Sequence, residues 1–214
     1  MVFSHDGVEQ MAEADRVVNA AGRIANIDTL DLAAGQVEHE NGRISIDRHL
    51  RSSFNPRVHV CGDAVPISPQ LSPIATYEGD IVGRNIVEGP KYSPDYEGMA
   101  TSVFTVPVHA SVGLTEAAAR QKGFVFDVHV NDMLGWFSAK TYAETVSWSK
   151  IIIDHASDRI LGAHFVGHEG QELINIFALG IKFGITARQL RDHVYAYPSF
   201  SADIKHMLGA GNSA

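Results

Sequence analysis

The sequence predicts an α+β fold in which an antiparallel sheet is flanked by helices, preceded by a smaller region of short strands and one long helix. Two observations carry the prediction. Between Gly89 and Gly98 the chain concentrates Pro90, Pro94, Gly98 and mixed charges, a composition that marks a boundary between folded regions. Beyond that boundary, alternating apolar runs come first and helix-periodic stretches follow, the order of an antiparallel sheet packed by helices rather than of repeated βαβ units.

The elements follow in order. Asp15-Arg-Val-Val-Asn-Ala-Ala-Gly22 is a short apolar run closing on glycine, read as a buried strand. Arg43-Ile-Ser-Ile-Asp47 alternates as a half-buried strand does. Arg57-Val-His-Val-Cys-Gly-Asp63 is another short strand, stopping at Gly62-Asp63. From Pro73 to about Val87, Ile74, Tyr77, Ile81, Val82 and Ile86 recur at helical spacing, with Ser72 as N-cap, Pro73 as first helical residue and Gly89-Pro90 as stop. After the boundary, Thr115 caps a helix over Glu116–Lys122 that ends at Gly123. Phe124, Phe126, Val128 and Val130 alternate as a strand. Ile151–Ile153 and Ile160–Val166 flank Ala-Ser-Asp as the arms of a hairpin. A helix over Glu169–Phe183 sets Leu173, Ile174, Phe177 and Ile181 on one face; Thr186 caps another, and a last one covers Ala202–Leu208.

Composition removes several function classes. Hydrophobic residues at 45% and charged ones at 20% describe an ordinary folded protein of 214 residues, not a disordered chain. A formal charge of -8 argues against nucleic-acid binding, which needs clustered Lys and Arg. Charges interrupt every apolar run, so no membrane span is expected, and the acidic N-terminus lacks the features of a secretory signal; a cytoplasmic location follows. The single cysteine, Cys61, forbids an intrachain disulfide. Lying in an apolar strand, it is expected to be an inert core residue.

Chemistry concentrates at two adjacent features. A strand ending in Gly62-Asp63 allows a close backbone approach and then offers one carboxylate, which can accept a hydrogen bond from a sugar or ribitol hydroxyl. The helix that opens over Leu71-Ser72-Pro73-Ile74-Ala75 adds unpaired N–H groups and a partial positive charge. Each has an ordinary structural explanation, a turn and a helix cap; their combination points to a cofactor site. His164, His168 and Glu169 form the densest histidine group, but their spacing fits no ligand motif and no metal site is expected. Trp136, Phe137, Tyr142 and Trp148 read as sheet or interface aromatics.

These motifs together resemble the pyridine nucleotide–disulfide oxidoreductases, the glutathione reductase and dihydrolipoamide dehydrogenase family. Ala20-Ala-Gly-Arg-Ile-Ala-Asn26 is similar to the return from the NAD(P)-binding domain, His59-Val-Cys-Gly-Asp63 to the second FAD motif, and Leu71-Ser-Pro-Ile-Ala75 to the helix start after it. Phe104-Thr-Val-Pro107 with Ala110–Glu116 resembles the opening of the dimerisation domain, and Ile160–Gly167 followed by Glu172 continues the match. The resemblance implies three parts: the end of the NAD(P)-binding domain and return segment over 1–30, the C-terminal portion of the FAD domain over 31–98, and a dimerisation domain over 99–214. It also implies FAD as cofactor, with Gly62 and Asp63 at the ribitol and Leu71, Ser72, Pro73 and Ala75 facing the flavin. A homodimer, a small-molecule electron acceptor, and NAD(P)H bound through a domain outside these residues complete the implied picture.

Two departures qualify it. The family's thiol acid/base pair is a His before proline and a Glu five residues on; here those positions hold Tyr197 and Ala202, with Asp203 next. An unperturbed tyrosine titrates about three units above histidine and shuttles a thiol proton poorly, so a transhydrogenase-like Tyr197 points away from disulfide reduction. No Gly-x-Gly-x-x-Gly fingerprint occurs in the 214 residues, so the segment alone is expected to be inactive. The rival expectation is a non-catalytic dimerisation module.

Overall fold

The computed structural model describes residues 1–209. They divide into two compact units, Met1–Asp95 and the residues from Tyr96 onward, each taken by itself below.

The first unit opens with a hairpin that sequence reading missed. Strands β1 (Val2–His5) and β2 (Val8–Met11) pair antiparallel around Asp6-Gly7, both at positive φ, the backbone of a tight hairpin turn. The run Asp15–Gly22, expected as a buried strand, is irregular and exposed, with Val18 at 87% exposure. An apolar run becomes a strand only where another edge accepts its backbone bonds, and among the described residues none pairs with it. Asn41-Gly42 turns β3 (His39–Glu40) into β4 (Arg43–Ile44), so only the first two residues of the expected strand Arg43–Asp47 form one. The Arg57–Asp63 segment makes a single bridge, His59 to Arg51, and ends in a 3-10 turn over Gly62–Ala64.

Helix α1 (Ser72–Glu88) is the unit's one long element. Leu71 is its N-cap rather than Ser72, and no side chain caps it; Gly89, at φ 83°, ends it. Its buried positions are Ile74, Glu78, Ile81 and Asn85, so Ile86, assigned to the inner face by apolarity, points outward at 64% exposure. Two polar residues displace it because each has backbone partners. Asn85 Nδ2 donates to the carbonyls of Tyr92 (2.8 Å) and His49 (3.3 Å), while Oδ1 accepts from the N–H of Lys91 (3.0 Å) and Tyr92 (2.9 Å). Ile27, Val37, Ile44, Leu50, Val60, Val65 and Ile81 form the core.

The second unit is the α+β body that the sequence predicts. Its five-stranded antiparallel sheet runs in the order β5 (Ala100–Val103), β6 (His109–Gly113), β9 (Ile160–Val166), β8 (Trp148–Asp154), β7 (Phe126–Asp132). Three short helices and one long one accompany it before the C-terminal turn. Thr115 caps α2 (Glu116–Gln121) by accepting from Ala118 N–H at 3.2 Å, and α3 (Phe137–Thr141) is an element the sequence did not announce. Helix α4 (Gly170–Phe183) buries Leu173, Ile174 and Phe177 against the sheet, where they meet Ala110, Val112, Ile151, Ala163 and Phe165. A capping box between Thr186 and Gln189 starts α5 (Ala187–Asp192). The expected last helix is a 3-10 turn over Phe200–Asp203 running into α6 (Ile204–Met207). Strands β6 and β9 close tightly at Gly162, where a Cβ would stand 2.0 Å from the Leu114 carbonyl. Among the described residues, no helix is long and apolar enough to cross a membrane.

Candidate functional site

The Gly62-Asp63 turn and the start of α1 come together in the first unit. Gly62 lies at φ +71°, a conformation glycine adopts without strain, and a Cβ there would sit 3.3 Å from the Ala75 Cβ. The turn is thus seated directly on the first residues of α1. Gly62 N–H donates to Glu78 Oε2 at 2.7 Å, and Gln70 Nε2 donates to the Asp63 carbonyl at 3.3 Å. Asp63 pairs with Arg23, and its side chain keeps 32% exposure, so acceptor positions remain open on the carboxylate. Arg23, Asn41, Arg43, Asp63, Ser68 and Gln70 line a cleft of about 420 Å³. Beside it, the first turn of α1 has no side-chain cap; Pro73 contributes no N–H, and among the described residues the amides of Ser72 and Ile74 meet no acceptor, which suits an anion or a developing negative charge.

Cys61 is exposed, contrary to the expectation of a core residue. Alternation explains it: Val60 turns inward, at 5% exposure, which sends its neighbour to the other face.

The second unit holds the C-terminal candidates. Tyr197 precedes a cis proline, is 74% exposed, and its ring lies 5.9 Å from that of Phe137. Ala202 is buried. Asp203, the next carboxylate, accepts a hydrogen bond from the Ser138 hydroxyl. Burial pushes the Asp203 carboxyl up, against the opposing pull of Ser138, His206 and Lys205. The carboxylate is thereby engaged with α3. Ser138 was not singled out from sequence, since no motif marks it.

The histidine group separates in space. His164 lies on β9 and its Nε2–H donates to the Leu114 carbonyl at 3.1 Å; burial holds its imidazole below the usual histidine range. His168 instead sits between Glu144 (3.3 Å) and Glu169 (3.4 Å), stacked on Tyr142. Among the described residues no group of three or more His, Cys, Asp or Glu side chains is arranged to hold a metal ion.

Known proteins share the fold. Residues 99–208 match the model of the pyridine nucleotide-disulphide oxidoreductase dimerisation domain, and residues 2–79 match a second pyridine nucleotide-disulphide oxidoreductase model. The chain belongs to this oxidoreductase family. It is 35% identical over 180 residues to an uncharacterized 19.7 kDa protein of a mercuric resistance operon in Staphylococcus aureus, covering 84% of this chain and 100% of that one. It is 32% identical to a Staphylococcus aureus mercuric reductase, covering 94% of this chain and 36% of the relative. The solved Cu(II) complex of the HOCl-induced flavoprotein disulfide reductase RclA from Escherichia coli superposes with a TM-score of 0.81 at 25% identity, over 97% of this chain and 48% of that one. The chain therefore spans the whole of one short relative but only about a third of the mercuric reductase.

Within the family frame, the residue that sequence reading overlooked at this site is Glu78. The available signal was a carboxylate in register with Ile74, Ile81 and Asn85 on the inner face of a helix, where only a partnered charge is tolerated.

Proposed function

We propose that this chain supplies the ribitol- and ring-facing side of an FAD site, together with the interface of a homodimer, in an FAD-dependent NAD(P)H oxidoreductase acting on a small-molecule electron acceptor. The observation that carries the reading is the Gly62-Asp63 turn seated on the uncapped start of α1. These residues suit the cofactor. Asp63 would accept a ribitol hydroxyl, with Arg23 occupying part of its carboxylate, and Gly62 would let the backbone approach closely. The first turn of α1, from Leu71 through Ser72 and Pro73 to Ala75, would face the pyrimidine end of the flavin, where a helix N-terminus stabilises negative charge. The flavin, when bound, supplies the hydride chemistry; the protein supplies position and electrostatics.

The second unit would carry the two-fold interface and bring each Tyr197 toward the flavin of the other subunit. Its exposure on the rim formed with Phe137 supports that role, and the engagement of Asp203 with Ser138 supports an acceptor that needs no thiol acid/base pair. The test is size-exclusion chromatography with light scattering, run beside an FAD titration followed by flavin fluorescence. A dimer that quenches flavin fluorescence supports the whole reading. A dimer with no flavin response reduces the role to that of an interface module, and a monomer contradicts the reading of the second unit.

A further inference from the structure

We infer that Glu78 is the positioning residue of the proposed flavin site, fixing the Gly62-Asp63 turn over the start of α1; the inference rests on the FAD reading above. Glu78 has no exposed surface, although it lies on a helix whose outer positions offer water to any charged side chain. A carboxylate placed inside is disfavoured by several kcal/mol unless hydrogen bonds compensate it, so its position there needs a partner. One such partner is the backbone N–H of Gly62, at 2.7 Å, a length typical of a charge-assisted bond.

Gly62 itself is only partly buried, yet its N–H is turned inward to the fully buried Glu78. The bond therefore does more than cover a buried donor: it sets the direction in which the turn leaves the helix. Two further contacts agree with it. A Cβ at Gly62 would press on the Ala75 Cβ at 3.3 Å, so the turn lies close over α1, and Gln70 holds the Asp63 carbonyl. The turn is held from residues 70, 75 and 78, which fixes the backbone that carries the Asp63 carboxylate relative to the start of the same helix. A ligand that uses both the carboxylate and the amides, as a ribityl flavin would, then meets a preformed pair rather than a mobile one.

Two substitutions test this in the full chain. Glu78→Leu keeps the approximate volume and removes the acceptor; Glu78→Gln removes the charge and keeps an acceptor oxygen. Hydrogen exchange at the Gly62 amide reads the tether directly, and backbone amide shifts on titration with FAD read the site. In Glu78→Leu the Gly62 amide should lose protection about tenfold or more, and the FAD dissociation constant should rise about tenfold. Glu78→Gln should stay within about threefold of the unsubstituted chain on both counts, since the acceptor is retained. Thermal melts of each variant separate loss of the tether from loss of the fold. A folded Glu78→Leu with unchanged Gly62 exchange or unchanged FAD affinity overturns the inference, as does a folded Glu78→Gln that loses Gly62 protection. If the unsubstituted chain shows no FAD-induced shift, the flavin reading fails, while Gly62 exchange still decides whether the tether exists.

Discussion

Replacing Asn85 with alanine should loosen the end of α1 and destabilise the first unit by about 2–3 kcal/mol. The side chain is 3% exposed and makes four bonds to backbone groups: donated to Tyr92 and His49, accepted from Lys91 and Tyr92. A net value of about 1 kcal/mol for each would give a sum near 4, but two are worth less than that. The bond to His49 is long at 3.3 Å, and Lys91 is exposed, so its N–H can turn to water. For a unit of this size, each kcal/mol moves the melting temperature by roughly 4–8 °C, so the expected fall is about 10–20 °C. Hydrogen exchange of the α1 amides against temperature is the suitable assay, because it reports on the first unit alone. Early loss of protection at Tyr92 should accompany the fall. A shift under about 2 °C, or a loss confined to second-unit amides, would refute the claim that Asn85 latches the chain after α1.

Two other outcomes concern the second unit. Gly162→Ala places a Cβ 2.0 Å from the Leu114 carbonyl, a backbone atom no rotamer change can relieve, so β6 and β9 must part; a loss of at least about 2 kcal/mol in denaturant unfolding is expected, and an unchanged midpoint would contradict the register described. The half-buried His164 is held below its usual range, chiefly by burial, which outweighs the bond to Leu114, with Lys150 adding in the same direction. In that window the unfolded chain binds more protons than the folded one, so stability is full above about pH 6.5 and falls as pH drops below it. The unfolding midpoint of His164→Gln should lack this slope, and a parallel slope in both proteins would remove His164 as its source.

What the sequence disclosed divides along a physical line. Periodicity located α4 and the β8–β9 hairpin because their inward faces are apolar, and a polar turn separates the two strands. Gly62, Asp63 and the start of α1 were legible as a pair of local signals. The turn's seat on Ala75 and Glu78 was not, because it depends on how a 3-10 turn meets a helix ten or more residues later. Apolarity misassigned α1's inner face: Ile86 was chosen over Asn85 because pattern reading prices side chains, not the backbone partners that make a buried amide favourable. Asp15–Gly22 failed in the opposite way, an apolar run that no edge among the described residues pairs with. The hairpin of β1 and β2 is exposed on both arms, so no burial pattern advertised it.

The proposed flavin site has Asp63 and the first turn of α1 as one face. Its most direct test maps backbone amide shifts during an FAD titration of the chain and of Asp63→Ala. Shifts gathered at Gly62, Asp63, Ser72, Ile74 and Ala75 are expected in the unsubstituted chain, and their loss, or a rise of about tenfold or more in dissociation constant, in the folded variant. Shifts located elsewhere, or a titration that Asp63→Ala leaves unchanged, would contradict it.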